Sequence, residues 1–326
     1  MADPEPDKSR KKKKRKKKKA RRPDNPGHPV YWPTHAGLGL LRLLAALPVP
    51  VQGALADGLG TLLWASIPGR RQVVRTNLEL AFPEYSDRER RRVERGAFRA
   101  SARALFEGGV SWYAPESKIA DRYTIAGLEN LERARAEGKG VILLGGHYTT
   151  LEISGRLLAR HVPDFYPIYK KAKNPVFNAA MVAGRRSRFP DVLINDDMRA
   201  ILRVLRKGNL VWYAPDQDFG RKGSVFAPFM GVQASTLTMT ARLARVSGAP
   251  VVPLYSERRP GNRWHLELGE PLEGFPSGDD EADARQVNAA IEHQVRRTPD
   301  QYLWLHHRYK TRPDPNAPSV YKDAKK

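Results

Sequence analysis

The stretch LLGGHYTTLE, residues 143–152, places a histidine after an apolar run and two glycines, with a glutamate five positions later. An imidazole can act as a general base near neutral pH when a second group fixes which ring nitrogen carries the proton. On one continuous helix His147 and Glu152 would point about 140° apart, so they can pair only if His147 lies in a turn before the helix. The spacing therefore admits a catalytic pair in which Glu152 accepts the proton on Nδ1.

The same residues also fit a purely structural interpretation. Thr149 and Glu152 match the T-x-x-E capping box, in which the glutamate bonds to the main chain at the start of its own helix. Spacing alone leaves the catalytic pair and the helix cap both open. The chain contains no G-x-S-x-G, G-x-x-x-x-G-K-[ST], G-x-G-x-x-G or H-E-x-x-H. These absences argue against a serine hydrolase, a P-loop NTPase, a dinucleotide enzyme and a zincin.

Short apolar runs alternate with amphipathic stretches along the body of the chain. The runs VILLGG, FYPIYK, DVLIN, NLVWYAP, PVVPLYSER and WHLELGE have the length and composition of strands. Most are separated by helical patterns of about ten to fifteen residues. This order predicts an α/β fold with a mostly parallel sheet flanked by helices. Ligands in such folds bind beyond the carboxyl ends of the strands, and His147 directly follows one strand.

Two further stretches complete this outline. Residues 71–113 have a helical pattern, in which Ser86 and Glu89 can form a capping box. Residues 216–234 are predicted to form a loop, and STLTMTARLARVSG is predicted to form the helix that follows it.

Basic residues outnumber acidic ones by 57 to 35, and the formal net charge is +22. Residues 1–22 hold 13 basic and 3 acidic side chains, and the rest of the chain still carries +12. Such a charge run predicts a disordered tail that binds an anionic membrane, nucleic acid or nothing specific. The basic body favours acidic partners, namely anionic lipid, a phosphorylated substrate, an acidic carrier protein or nucleic acid.

Residues 36–66 are the most apolar part of the chain, interrupted by Arg42, Pro48, Pro50 and Asp57. A membrane span needs about 20 predominantly apolar residues. The segment therefore predicts two short helices in the bilayer interface, or one tilted span with Arg42 reaching the surface. Two core helices of a soluble domain are the structural alternative. A mean hydropathy of −0.57 excludes a polytopic membrane protein.

These features divide the chain into four predicted parts. They are a disordered polybasic tail (1–29), an apolar membrane-associated helical segment (30–68), an α/β domain (69–315) and a flexible C-terminal tail (316–326). The chain has no cysteine, which excludes a disulfide and a thiolate nucleophile.

Five blocks between about residue 30 and residue 315 match one known family in register. HYTTLE is similar to HFLTLE, a form of an H-x4-D/E motif. YKKAKNPVFNAAMVAGRRSRF, NLVWYAPDQDFGRKGSVFAPFMG and PDQYLWLHHRYKTRP match three further blocks, and LGLLRLLAALP with RRQVVRTNLELAFPE matches a membrane-proximal region. Together they resemble the lipid A late acyltransferases, within the lysophospholipid acyltransferase superfamily. The basic tail before residue 23 lies outside the resemblance.

The resemblance implies roles for five residues. It implies His147 as general base and Glu152 as its orienting partner. It implies substrate-binding roles for Arg185, in a G-R pair, for Asp216, in the P-D-x-D run, and for Lys170. Lys170 stands where the family usually has arginine, and lysine offers a point charge in place of a bidentate fork. Arg185 also has a structural interpretation as a solvated helix charge, and Asp216 as a helix cap or ion-pair partner.

The implied reaction moves a fatty acyl chain from an acyl-carrier-protein thioester to a hydroxyl of a lipid A precursor, without a metal or redox cofactor. The implied partners are acyl carrier protein, a phosphorylated glycolipid acceptor and an anionic membrane surface, with no nucleic acid. The implied location is the cytoplasmic face of the bacterial inner membrane, as a peripheral or single-pass protein. Two alternatives stay open. One is an acyl-CoA-dependent acyltransferase acting on another glycolipid or phospholipid, and the other is a non-enzymatic basic protein that binds membrane or nucleic acid.

Overall fold

A computed structural model describes Pro23, residues 25–136 and residues 138–321. Its strands are β1 (Tyr123–Ala126), β2 (Val141–Leu144), β3 (Phe165–Tyr169), β4 (Leu193–Ile194), β5 (Leu210–Tyr213), β6 (Ser224–Phe229), β7 (Val232–Leu237), β8 (Val251–Arg259) and β9 (Arg263–Leu268). Seven of them form one sheet in the order β1-β9-β8-β2-β5-β3-β4, and β6 pairs with β7 in an antiparallel hairpin. Within the sheet only the β8–β9 pair is antiparallel, which confirms the predicted mostly parallel sheet.

Ten α-helices of the described residues surround the sheet. They are α1 (Trp32–Ala46), α2 (Val49–Ser66), α3 (Pro68–Ala81), α4 (Asp87–Tyr113), α5 (Leu128–Arg135), α6 (Leu151–Leu158), α7 (Pro175–Arg186), α8 (Met198–Arg206), α9 (Met239–Ser247) and α10 (Asp280–Arg297). The predicted capping box begins α4, because Ser86 accepts a hydrogen bond from the Glu89 amide and the Glu89 carboxylate accepts one from the Ser86 amide.

The sheet separates two hydrophobic cores, as alternation along the strands requires. Ile142 and Leu144 of β2 face a core that includes parts of α3, α4, α8, α9 and α10. Val141 and Leu143 face the opposite core, against α5, α6 and the end of α4. All four side chains are buried. The strand that leads to His147 is therefore fixed on both faces.

The hairpin of β6 and β7 lies where the sequence predicted a loop, and it also takes the first residues of the predicted helix after residue 234. Its turn is formed by Met230 and Gly231, which both have positive φ values, +53° and +76°. Two such residues make the turn that suits a two-residue hairpin, usually encoded by Asn-Gly or Asp-Gly. Met-Gly is not such a signal, so no hairpin is expected there from the sequence. Strand β1, on the sheet edge, was also not predicted.

The apolar N-terminal segment forms two helices, α1 and α2, so the prediction of one tilted span is wrong. Both pack against α4, and α1 also contacts α7. Among the described residues, none of the helices combines the length and the apolar character needed to cross a membrane. Large apolar side chains on their outer faces lie in solvent, namely Trp32, Leu40, Leu43, Val51, Leu55 and Leu62.

The predicted tails are only partly described. Residues 1–22 and 24 of the polybasic tail, and residues 322–326, lie outside the described residues. Within the predicted C-terminal tail, Tyr321 is buried. Its hydroxyl donates to Asn77 Oδ1 at 2.5 Å and accepts from the Tyr309 amide at 3.0 Å, which attaches this segment to α3.

Candidate active site

His147 lies in a turn between β2 and α6, and the first two residues of this turn, Gly145 and Gly146, can only be glycine. A β-carbon on Gly145 would lie 2.2 Å from Nε1 of Trp212, and one on Gly146 would lie 2.8 Å from the Tyr148 ring. Real β-carbons do not approach other atoms this closely, so side chains are excluded at both positions. The two glycines therefore let the chain leave the sheet next to Trp212 and turn His147 away from the strand.

His147 is bonded to Asp216. Its Nδ1 lies 2.5 Å from Asp216 Oδ1, and its main-chain amide donates to Oδ2 at 2.8 Å. The two residues meet because β2 and β5 are parallel neighbours with Leu144 opposite Tyr213. His147 is the third residue after β2, and Asp216 is the third after β5. The carboxyl ends of adjacent strands thus bring them together from 69 residues apart.

The charge state of Asp216 fixes the imidazole tautomer. Burial alone raises the pKa of Asp216, but the charge and hydrogen bonds of His147, with the Tyr302 hydroxyl, outweigh it and hold the pKa at about 2. At neutral pH the carboxylate can only accept hydrogen bonds, so the proton between the two residues belongs to Nδ1. In the neutral imidazole the other ring nitrogen, Nε2, is then the one with a free lone pair. The His147 side chain is 27% exposed, so a reactant can approach it.

Glu152 does not contact the His147 imidazole, and this part of the predicted pair is wrong. Its carboxylate accepts two hydrogen bonds from the Arg185 guanidinium and one from the Trp112 indole, the last at 3.0 Å. The capping alternative is wrong too, because the N-cap of α6 is Thr150 and no side chain caps it. A catalytic contribution of Glu152 remains a prediction.

A glycine also places the Glu152–Arg185 pair. A β-carbon on Gly184 would lie 2.5 Å from the Trp112 ring, so glycine before Arg185 lets α7 lie directly on the indole. Leu41 of α1 packs against the same Trp112. The pair is mostly buried, with the Arg185 and Glu152 side chains 11% and 21% exposed. Arg185 is therefore an internal, oriented cation and not a solvated helix charge.

Lys170 lies just beyond the carboxyl end of β3, the strand next to β5. Its ammonium group stands 5.4 Å from the centre of the Phe219 ring, in the loop that follows Asp216. Lys171 and Lys173 follow it in the chain. None of the three forms an ion pair with a carboxylate of the described residues. The edge of the sheet beside Asp216 therefore carries uncompensated positive charge.

The C-terminal segment holds both halves of the His147–Asp216 pair. The Leu303 amide donates to the His147 carbonyl at 3.1 Å, and the Asp218 amide donates to Nε2 of His306 at 3.3 Å. Burial lowers the pKa of His306 to about 4, so this imidazole is neutral at pH 7. Asp218 in turn accepts from the amide and hydroxyl of Thr311, at 2.6 and 2.7 Å. His306 is thus a packing residue that fixes the loop carrying Asp216.

A narrow slot opens beside the Gly145–Gly146 main chain and passes Glu152 and Arg185. Its apolar walls include Gly155, Phe165, Phe189, Trp212 and Leu254. The free volume is about 30 Å³, room for a water molecule or two. The Phe165 and Phe189 rings meet edge to face with centroids 5.1 Å apart and close it. Any longer apolar ligand would have to part these rings.

An oxyanion formed beside this turn would need hydrogen-bond donors, and the nearby groups that could supply them are the Gly145 and Gly146 amides and Arg185. The Gly145 amide is not free, because it donates to the Tyr213 carbonyl at 3.0 Å. The Gly146 amide has no partner within the described chain. Arg185 bonds Glu152 through Nε and Nη2, which leaves Nη1 for a ligand. Gly146 and Arg185 are therefore the donors that this site retains.

Sequence reasoning missed a second network behind the turn. Arg258 of β8 donates to Thr149 Oγ1 at 2.7 Å and forms an ion pair with Glu107 of α4. The Trp264 indole donates to the same Glu107 at 3.0 Å. Each of these bonds joins two residues more than a hundred positions apart, so no local sequence pattern reveals it. The network fixes the residue two positions after His147.

Comparison with known proteins gives one consistent result. Residues 19–311 match the family model described as bacterial lipid A biosynthesis acyltransferase. The chain is 38% identical over 296 residues to a lipid A biosynthesis lauroyltransferase of Escherichia coli K12, which covers 90% of this chain and 96% of the relative. It is 37% identical to a palmitoleoyltransferase of the same strain, over 88% of this chain and 94% of the relative. A myristoyltransferase of that strain is 30% identical, over 87% and 89%.

Proposed function

The chain belongs to the bacterial lipid A biosynthesis acyltransferases and is an O-acyltransferase of the late lipid A type, and from this premise we propose how its residues carry out the reaction. A fatty acyl chain passes from an acyl-carrier-protein thioester to a hydroxyl of a lipid A precursor, with His147 as general base and Asp216 as its orienting partner. The observation that carries the proposal is the 2.5 Å contact between Nδ1 and Asp216, which in the neutral imidazole places the proton on Nδ1 and leaves Nε2 as the basic nitrogen. Family membership decides against the non-enzymatic alternative.

The base step follows from the tautomer. Nε2 removes the proton of the acceptor hydroxyl as its oxygen attacks the thioester carbonyl carbon, and Asp216 stabilises the imidazolium that forms. The tetrahedral intermediate then expels the thiolate, the carbon–sulfur bond breaks, and the thiolate takes the proton from Nε2. The histidine returns to its starting state, and no outside reductant, oxidant or metal takes part. A positioned base of this kind contributes about 10²- to 10⁴-fold to the rate.

Glu152 and Arg185 support the developing negative charge. The carboxylate holds the guanidinium through two donors, so Nη1 points in a fixed direction and loses little freedom when it binds. The Gly146 amide and Arg185 Nη1 are the donors proposed for the oxyanion. Glu152 is in this account a positioning residue for Arg185, not for His147.

The acceptor is proposed to enter from the side of Lys170. Lys170, Lys171 and Lys173 lie beyond β3 and suit a phosphorylated sugar lipid. Asn174, the next residue, donates to Thr34 Oγ1 of α1 at 2.7 Å, so these lysines lie close to the apolar N-terminal helices. We propose that the exposed apolar side chains of α1 and α2 enter the bilayer interface while the lysines meet the phosphates. In this proposal the protein attaches peripherally, at the cytoplasmic leaflet.

The acyl chain of the donor is proposed to occupy the slot lined by Phe165 and Phe189. Its walls are apolar, and it ends beside the proposed oxyanion donors, where the thioester carbonyl must lie. The rings would have to rotate apart as the chain enters.

The proposal is tested by acyl transfer with purified full-length protein in mixed micelles. The donors are acyl-carrier thioesters and acyl-CoA esters of several chain lengths, the acceptor is a tetraacylated lipid A precursor, and mass spectrometry detects the product. We expect one added acyl chain with the carrier thioester, and none from His147→Ala with unchanged thermal unfolding. Near-normal transfer by folded His147→Ala would overturn the mechanism. Exclusive use of acyl-CoA, or of an acceptor unrelated to lipid A, would replace the proposed substrates.

A further inference from the structure

A large open cleft lies along α4 and shares no lining residue with the slot. It has a volume of about 1150 Å³ and is lined by α4, the edge of α2 and residues 297–301. Eight arginines and three carboxylates line it. The lining is therefore far more positive than the average surface of this basic chain. We call it the arginine cleft.

Five of the eight arginines form a stripe along α4. They are Arg88, Arg91, Arg92, Arg95 and Arg99, all exposed, and each has another of the five three or four residues away, so they lie along one side of the helix. No described carboxylate forms an ion pair with any of the five. The remaining three are neutralised by Asp57, Glu107 and Glu267. The uncompensated charge of the cleft is thus concentrated on the stripe.

The floor of the cleft adjoins the catalytic turn. Gln301 and Arg258 both line it. The Gln301 carbonyl accepts a hydrogen bond from the Thr149 amide at 2.7 Å, and Arg258 donates to the Thr149 hydroxyl at 2.7 Å. Thr149 is two residues after His147. A partner in the cleft would therefore sit directly behind the turn that carries the proposed base.

The cleft opens to a different side from the apolar face of α2. Asp57 and Thr61 point toward α4, where they bond Arg103 and Arg99. Leu55 and Leu62 lie about 100–160° further round the helix axis, at about 100° per residue. A bilayer in contact with these leucines lies beside the cleft and not over it. The arginine stripe consequently stays open to water, and its concave shape suits a convex protein element better than a flat membrane.

We propose that the arginine cleft docks an acidic helix of the protein that carries the acyl donor. This inference rests on the proposed function, which takes the acyl group from a carrier protein. A helix about 10–12 Å across fits an open cleft, and carboxylates on one of its faces can pair with guanidinium groups spaced one turn apart on α4. The concave positive surface also attracts an acidic protein from solution before contact.

The test compares two charge-reversal variants of the full-length protein. One is Arg88→Glu/Arg92→Glu, at two exposed stripe positions with no hydrogen bond or ion pair to lose. The control is Arg199→Glu/Arg203→Glu on α8, two exposed arginines also without such contacts. Fluorescence anisotropy measures binding of labelled holo-acyl carrier protein in neutral detergent. Steady-state kinetics compares a carrier thioester with the same acyl group on pantetheine.

We expect the stripe variant to bind the carrier at least ~10-fold more weakly than the wild type, while the control variant binds like the wild type. The affinity of the wild type should fall steeply with salt concentration, and that of the stripe variant should not. The ratio of KM for the carrier thioester to KM for the pantetheine thioester should rise to the same extent. Equal binding by the two variants would overturn the inference. The inference would also be overturned if the stripe variant bound the carrier normally but lost binding to phosphatidylglycerol vesicles, because the cleft would then be a lipid site. If the wild type uses no carrier thioester at all, the proposed function fails instead.

Discussion

At the residue scale, two carboxylates of this site have separate tasks. Asp216 is fully buried and bonds both the ring and the main chain of His147, so it can balance the charge of an imidazolium. Glu152 bonds Arg185 and Trp112 instead. Removing the negative charge of Asp216 should therefore impair the enzyme in a different way from removing that of Glu152.

Replacing Glu152 by glutamine removes the anionic partner of a buried guanidinium. We expect Glu152→Gln to lower the free energy of unfolding by about 1–3 kcal/mol, and to reduce transfer through a displaced Arg185. Chemical denaturation measures the first effect and the transfer assay the second. Arg185→Gln should act on the same pair, so the double variant should lose less stability than the two single losses added together. Full additivity would show that the two side chains are not coupled.

His306 predicts a pH dependence of stability. Burial lowers its pKa to about 4 in the folded protein, whereas the unfolded chain binds the proton near the ordinary value of 6.5. Between these values the unfolded state binds more protons, so stability is complete above about pH 6.5 and declines as the pH falls toward 4. The decline due to His306 from pH 7 to pH 5 should be about 1–2 kcal/mol, allowing for the part of the ring that water reaches.

Urea denaturation at pH 7 and pH 5 measures this decline. His306→Asn keeps an acceptor for the Asp218 amide but cannot titrate, so its decline should be smaller by that amount. Identical pH dependence of wild type and variant would refute the assignment.

The site residues differed in how far the sequence could define them. The position of His147, after a strand and two glycines, was enough to mark it as a candidate base. Asp216 was identified through the family resemblance, but its contact with His147 was not predicted. The contact depends on β2 and β5 being neighbours, and the order of strands along the chain does not reveal which strands are adjacent. Glu152 lies only five residues from His147 in the sequence and was therefore predicted as its partner, but its carboxylate bonds Arg185 and Trp112 instead.

At the element scale, α6 forms one wall of the proposed acyl-chain slot, and its packing predicts a limit on the length of the acyl chain. A β-carbon on Gly155 would lie 3.2 Å from the Phe189 ring and 3.8 Å from Phe165. Gly155→Ala should oppose the separation of these rings and disfavour long donors. Each methylene excluded forgoes about 0.8 kcal/mol, roughly fourfold in rate, so the chain-length profile should move toward shorter donors. Gly58→Ala on α2, where a β-carbon meets nothing within 4 Å, is the matched control. An unchanged profile would place the acyl chain elsewhere.

The helices α1 and α2 predict attachment to membranes through their outer faces. Leu43 and Leu62 are 71% and 62% exposed, so charged substitutions there should leave the fold intact. Each leucine buried in the interface contributes about 1.5–3 kcal/mol, and Leu43→Glu/Leu62→Glu should weaken vesicle binding at least ~10-fold in co-sedimentation. Val246→Glu, an exposed apolar position on α9, should bind normally. Equal binding by both proteins would contradict membrane contact through α1 and α2.

The elements themselves were largely predictable. Six strands and most helices follow from the alternation of apolar runs and amphipathic stretches, because each buries a face against a neighbour. The hairpin of β6 and β7 was not predictable in this way, since its Met230–Gly231 turn has no usual signal. The break between α1 and α2 at Pro48 was marked by the proline pair, but their packing on α4 was not.

At the scale of the whole molecule, three regions of the described structure have separate proposed roles in the reaction. The proposed base lies at the carboxyl ends of central strands, lysines and apolar helices lie toward the proposed acceptor side, and the arginine cleft lies behind the catalytic turn. Long α4 connects them, because it carries the arginine stripe in its first half and both Glu107 and Trp112 in its last two turns.

The most direct test of the central claim is a double-mutant cycle on His147 and Asp216, measured as the rate of acyl transfer with saturating donor. If the two act as one unit, Asp216→Asn lowers the rate about 10²- to 10⁴-fold, His147→Ala lowers it at least as much, and the double variant falls no further. Losses that multiply in the double variant, or a near-normal rate in folded Asp216→Asn, would contradict the account.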